Sequence, residues 1–188
     1  KNPVDMLEDN ILINTNLLKV AHENNINRVL CFSSTCVFPE PASRYPVTND
    51  IIYEGYPHKS VESYALSKRI MDVHCRAYRK QYGREYFCVI SPNIYGPGDN
   101  FNLEDAHVIP ALIHKCWLAK RDGTAFVIAG DGTPVRQFIF SDDIGRLTVW
   151  AAEHYKEITR PMMLCPPDSE VPLSYVVKLI TETFEFSG

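Results

Sequence analysis

The chain is 188 residues long, 45% hydrophobic and 11% aromatic, enough to bury an ordinary core within one domain. Its formal net charge of −4, with Lys and Arg scattered, excludes the sequence-independent attraction that holds basic proteins on nucleic acid or anionic lipid, so phosphate recognition must be local. There is no apolar run of the ~20 residues a membrane span needs and no signal-peptide stretch, and Cys31, Cys36, Cys75, Cys88, Cys116 and Cys165 form neither a CxxC pair nor a disulfide framework; free thiols and a cytoplasmic protein are predicted.

The first residue is Lys, and the opening already reads as helix, so the chain is expected to begin partway through a domain. Leu7, Ile11, Leu18 and Ala21 recur at helical spacing and predict an amphipathic helix over 4–24. The apolar run 28–32 predicts a buried strand that opens at the hydroxyl cluster Ser33, Ser34, Thr35. Pro, Asn and Gly crowd 38–60, which predicts a long loop without an element of its own, of a length that is usually functional or disordered. Over 61–81 Tyr64, Lys68, Met71 and Cys75 share one helical stripe, ended by Gly83. A second buried strand is predicted over 86–90, closed by the turn residues of 91–98, and a third helix over 107–119. The runs 126–128 and 136–140, separated by Gly130-Asp131-Gly132-Thr133, predict a small hairpin. Ser141 is expected to cap a helix over 142–154. The apolar run 162–165 and a helix over 173–184 complete the series. Alternating strands and helices predict an α/β fold with a parallel sheet, its strand ends carrying the chemistry, and a smaller lobe beside it.

Tyr64 and Lys68 stand four residues apart, so both project from one helix face. A phenol near pKa ~10 is a poor acid at neutral pH, but an adjacent ammonium is expected to lower that value and make it a proton donor to a ketone receiving hydride. About 30 residues upstream, at the end of the first strand, a Ser34 hydroxyl can polarise the same carbonyl.

Together with Asn93-Ile94-Tyr95-Gly96-Pro97 after the second strand, these features resemble the extended short-chain dehydrogenase/reductase family over residues 10–151. The resemblance implies a partial Rossmann-type parallel sheet with flanking helices plus part of a small substrate-binding lobe. It divides this single incomplete domain near residue 95, with 1–95 finishing the dinucleotide half and 96–188 mostly the lobe. It makes Ser34, Tyr64 and Lys68 catalytic, puts Tyr64 and Lys68 on the cofactor, and sets Ser91, Pro92, Asn93 and Ile94 at its nicotinamide end.

Two further stretches, Ser34-Thr35-Cys36-Val37-Phe38-Pro39 and Gly96-Pro97-Gly98-Asp99-Asn100-Phe101 leading to His107-Val108-Ile109-Pro110, are similar to the GDP-L-fucose synthase branch of that family. This implies NADPH (NADP) as cofactor and GDP-4-keto-6-deoxy-mannose as substrate, epimerised at C3 and C5 and reduced at C4. Cys36 and His107 become the epimerisation acid/base pair, His107 also touches the cofactor, and Lys115 and Arg136 hold the diphosphate. Inverting a carbon beside a ketone needs one group to remove a proton and another to deliver one, and a thiol and an imidazole are both tunable to working pH. The phenol, ammonium, thiol and imidazole are therefore all expected to address one sugar ring.

The resemblance also implies a homodimer through the helices 4–24 and 61–81, with no metal, nucleic acid or membrane partner. Ala129 stands where the family places Trp, and no glycine-rich phosphate loop occurs in the sequence. That loop and the family's final segment are expected to lie outside the chain, which alone should bind cofactor poorly, be inactive and be weakly stable. The alternatives are another nucleotide-sugar epimerase or dehydratase, which shares Ser34, Tyr64 and Lys68 without needing Cys36 and His107, and a non-catalytic nucleotide-binding relative.

Overall fold

The computed structural model describes residues 2–44, 47–166 and 169–186. It divides into two units, Lys1–Pro92 with Gly145–Leu164, and Asn93–Ile144 with Cys165–Gly188. The first break falls after Pro92. The second half is not one piece, however, because 145–164 belongs with the first unit.

In the first unit, helix α1 (Pro3–Glu23) opens on a proline that needs no N–H donor there and carries Asp5 in its first turn and His22 in its last, matching the helix dipole. Strand β1 (Arg28–Ser34) leads through a 3-10 turn, Thr35–Val37, and helix α2 (Glu62–Tyr82), to β2 (Glu85–Ser91). Gly83 ends α2 at φ 67, the left-handed conformation a glycine takes without strain, and its N–H reaches Arg79 O. β1 and β2 run parallel from Arg28 opposite Glu85 to Ser34 opposite Ser91, and the short strand β5 (Met162–Met163) pairs parallel to the other edge of β2.

β2 is central and almost wholly buried, so both of its faces are covered. Tyr86 and Cys88 pack with Leu18 of α1 and with Met71 and Cys75 of α2. On the opposite face Phe87 meets Tyr155 at 5.7 Å between ring centroids and the Arg28 guanidinium at 4.8 Å. Arg28 also donates to the carbonyls of Ala151, Ala152 and Tyr155, closing the C-terminal end of helix α4 (Ser141–His154). α1 keeps Leu12, Ile13, Leu17 and Val20 exposed, as α2 does Ile70 and Val73.

The 38–60 segment, expected to hold no element of its own, does carry short ones. It forms two 3-10 turns, Asn49–Tyr53 and Lys59–Val61, and buries Ile51 and Ile52 against Val37, Phe38 and Ile90. Each such apolar side chain taken from water contributes roughly 1.5–3 kcal/mol, which the loop needs in place of regular hydrogen bonding.

The second unit is built on a mixed sheet ordered β3 (Asn93–Tyr95), β4 (Val135–Phe140), β6 (Glu170–Pro172), with β3 parallel and β6 antiparallel to β4. Helices α3 (Val108–Asp122) and α5 (Leu173–Thr183) pack together through Ile109, Leu112, Cys116, Val176 and Ile180. The hairpin expected between 126–128 and 136–140 does not form. The backbone after Gly130 is claimed by α5 instead: Ser174 N–H donates to Gly132 O and Leu173 N–H to Pro134 O. The free edge of β4 pairs with β6, so 126–128 stays irregular. Ser141 is the first residue of α4 itself.

Among the described residues no helix is long and apolar enough to cross a membrane.

Candidate functional site

The parallel register brings Ser34 and Ser91 opposite each other at the C-terminal ends of β1 and β2, the end of an α/β sheet where ligands bind. Ser34 then turns its side chain forward, its Oγ accepting the Cys36 N–H at 3.3 Å and capping the 3-10 turn. That bond leaves the Ser34 hydroxyl proton available, and it ties the orientation of Ser34 to the backbone of Cys36. Both side chains are half-buried. Ser91 and Pro92 are buried.

Helix α2 supplies the phenol and the ammonium. Lys68 lies over the Tyr64 ring, 5.5 Å from its centroid, and its Nζ donates to Phe32 O at 3.1 Å, two residues before Ser34. This geometry corrects the expectation that the ammonium lowers the phenol's pKa. Burial raises the Tyr64 pKa, and negative charge on Cys36 raises it further. The same burial holds the Lys68 ammonium below its ordinary value. For Tyr64, burial is the larger of the two causes and Cys36 the lesser. Ser34, Cys36, Tyr64 and Lys68 form one constellation in the first unit.

One contributor to that constellation carries no motif. Arg69, directly after Lys68 and 9% exposed, sends Nε to Val37 O and Nη1 to Gly55 O, each at 2.8 Å. The available signal is a charged residue on α2 whose neighbours Ala65 and Asp72 are also buried.

The remaining candidates lie in the second unit. Asn93, Ile94, His107 and Arg136 line a hollow of about 230 Å³, together with Tyr95, Val108, Ile109, Pro110 and Phe138. His107 is the N-cap residue of α3, in extended conformation, so the first turn's N–H groups follow directly behind an exposed imidazole. Pro110 falls within that turn, where a missing N–H costs nothing. Arg136 is exposed and bonds its own strand at Val135 O, 2.7 Å. The mouth combines a cation and an imidazole with apolar walls, a chemistry suited to an anionic ligand with a ring attached. Of the other lining residues, none of which is given a role from the sequence, Tyr95 adjoins Ile94 and Val108 adjoins His107, while Ile109, Pro110 and Phe138 lie two or three positions from His107 or Arg136.

Of the expected binders, Asn93 has a second duty and Lys115 lies off the hollow. Asn93 spends its amide on Gln137 O at 3.0 Å, fastening β3 to β4, so its side chain has a structural task. Lys115 is half-buried on α3, two turns beyond Val108, and is not among the described residues walling the hollow.

All six cysteines are free. Cys31, Cys75 and Cys88 form a chain of thiols with Sγ separations of 3.9 and 3.8 Å, and the hydrogen bond to Cys75 and burial push the Cys31 thiol upward. Cys36 stands outside this inert group. Among the described residues no three His, Cys, Asp or Glu side chains gather as metal ligands.

Residues 1–164 match the NAD dependent epimerase/dehydratase family. The whole chain is 42% identical to a GDP-L-fucose synthase of Dictyostelium discoideum over 188 residues, and 36% identical to a probable GDP-L-fucose synthase of Drosophila melanogaster over 194. It spans 58% and 60% of the length of those two relatives. The crystal structure of a GDP-L-fucose synthetase from Naegleria fowleri bound to NADP superposes with a TM-score of 0.92 at 37% identity, over 99% of this chain and 59% of that one.

Proposed function

Since this chain belongs to the NAD dependent epimerase/dehydratase family, we propose that the protein is an NADP-dependent enzyme converting GDP-4-keto-6-deoxy-mannose to GDP-L-fucose. The observation that carries the proposal is geometric: Cys36 sits on the turn that Ser34 caps at the open end of a parallel sheet, and the helix bearing Tyr64 and Lys68 is tied to the same strand through Lys68 Nζ and Phe32 O. A simple ketone reductase needs the phenol and the ammonium. A thiol placed to act beside them adds a group able to take a proton from a carbon next to the ketone.

The donor set fits the ribose end of a nicotinamide dinucleotide. An ammonium has three N–H donors, one of those on Lys68 is used on Phe32 O, and the rest are free to meet ribose hydroxyls. NADPH, when bound there, supplies the hydride that reduces C4. Tyr64 holds the proton that the C4 oxygen receives, and Ser34 donates a hydrogen bond to that oxygen. Cys36 and His107 exchange protons at C3 and C5, and Arg136 binds the diphosphate.

Two like charges close together disfavour each other, so while Cys36 acts as a thiolate base the phenol keeps its proton. That ordering suits inversion before reduction. The protein is further proposed to be cytoplasmic, as six free thiols favour, and to form a homodimer through α1 and α2. Leu12, Ile13, Leu17 and Val20, each more than half exposed, supply the apolar area for a second copy, and a single species sedimenting as monomer in sedimentation velocity of the complete protein would refute the dimer.

The test of the activity is the complete protein in deuterated water with GDP-4-keto-6-deoxy-mannose and NADPH. Deuterium should enter C3 and C5 and NADPH should be oxidised. Cys36→Ser should lose the isotope incorporation and Tyr64→Phe the oxidation. Oxidation without any incorporation by the unaltered protein would reduce the assignment to a plain reductase.

A further inference from the structure

We propose that Arg69 is a positioning residue for the Cys36 thiol, an inference that rests on the reading of Cys36 as an epimerisation group. The 3-10 turn that carries Cys36 is anchored at both ends. At its start Ser34 Oγ takes the Cys36 N–H, and at its end Arg69 Nε bonds the carbonyl of Val37, the turn's last residue. The second anchor belongs to the helix that carries Tyr64 and Lys68, so one guanidinium sets the thiol's turn against the phenol's helix.

The same guanidinium reaches across to Gly55 O and lies 5.9 Å from the centroid of the Tyr53 ring. Its Nη2 is buried without a hydrogen-bond partner. Burying a cation this way is costly compared with an apolar side chain, and holding the 38–60 segment does not require one. Val37, Phe38, Ile51 and Ile52 already pack that segment against Ile90. What a guanidinium adds is direction: its planar fork fixes two carbonyls at a set angle, whereas a lysine ammonium is a point donor on a flexible stem. Tyr53, held by its hydroxyl bond to Asp72 at 2.7 Å, keeps the far side of the fork in place. The consequence falls on the distance and angle between thiol and sugar carbon, to which proton abstraction is sensitive.

The experiment uses the full-length protein with Arg69→Lys and Arg69→Met, and measures deuterium incorporation against NADPH oxidation. The ratio of inversion to reduction should fall by about tenfold or more in both variants, since misplacement of a reacting group by about 1 Å can cost ~10²-fold. Cys36→Ser is run alongside. If Cys36→Ser retains incorporation, the reading of Cys36 itself is wrong. If Cys36→Ser abolishes incorporation while both Arg69 variants keep the wild-type ratio, or lose both half-reactions equally, the positioning role is overturned and the reading of Cys36 survives. Circular dichroism accompanies each variant. A fold lost in both would overturn the proposal, since the guanidinium would then serve the fold as a whole, and if only one folds, its ratio decides.

Discussion

The Lys68 ammonium donates to the Phe32 carbonyl at 3.1 Å, so the helix that presents the phenol is pinned to the strand that delivers Ser34. Replacing Lys68 by Met should abolish this tie and the cation over the Tyr64 ring together. Turnover of the complete protein is expected to fall by ~10²-fold or more, the cost of misplacing reacting groups by about 1 Å. NADPH affinity should fall with it, measured by fluorescence titration. Stability should drop by only about 0.5–1.5 kcal/mol, because one hydrogen bond is lost and Phe32 stands 39% exposed, where water can satisfy its carbonyl. A denaturant titration separates the two effects.

The coupling of Tyr64 to Cys36 has a sign that can be read from pH. Burial and a negative Cys36 both raise the phenol's pKa above its ordinary value. A proton donor works below its pKa, so NADPH oxidation should persist into alkaline solution and fade as pH rises through the raised value. Cys36→Ser removes the charge, and its alkaline limb should move to lower pH. A limb that stays in place, or moves upward, would show that the two groups do not interact.

How far the sequence disclosed this arrangement depends on whether a residue's role is local. Tyr64 and Lys68 were legible because a helix puts residues four apart on one face whatever surrounds it. Ser34 was legible as the end of an apolar run. Its pairing with Ser91 belongs to sheet register, which is settled only when β2 lies along β1. The phenol's pKa was misjudged for a similar reason, since spacing puts Lys68 near the ring without saying that its ammonium turns to Phe32 O. Arg69 joins Val37 and Gly55, a long-range pairing that no periodicity records. The three-residue strands β3 and β6 are too short to show alternation beside Pro and Gly, and the hairpin expected between 126–128 and 136–140 is lost because the Gly132 and Pro134 carbonyls accept from the start of α5, a long-range pairing.

Arg136 and His107 share the walls of one hollow, and among the described residues the exposed guanidinium is seen to bond its own neighbour, Val135 O. Arg136→Gln should therefore leave stability within about 0.5 kcal/mol, as exposed substitutions generally do. The KM for the nucleotide sugar should rise on the order of 10- to 100-fold, matching the ~1.5–3 kcal/mol of a hydrogen bond to a charged group. An effect confined to kcat would instead assign Arg136 to the chemical step.

Gly96 opens the turn that runs on toward His107, its carbonyl accepting the Asp99 N–H at 3.3 Å. A Cβ added at Gly96 would come within 2.8 Å of Ser141 Cβ and closer still to its Oγ, with Phe140 also in contact at 3.5 Å. Ser141 begins α4 and cannot retreat as the tip of a long side chain would, so the clash must be relieved by moving backbone. Gly96→Ala is expected to cost about 1–3 kcal/mol, the range for overpacking a tight contact. The companion Ser141→Gly removes both offending atoms, and in the double variant part of that loss should return. A favourable coupling energy of at least ~0.5 kcal/mol in a double-mutant cycle, read from denaturant midpoints, would locate the cost at this contact. Strict additivity would mean that the turn, rather than the approach of Ser141, is what forbids a side chain at Gly96.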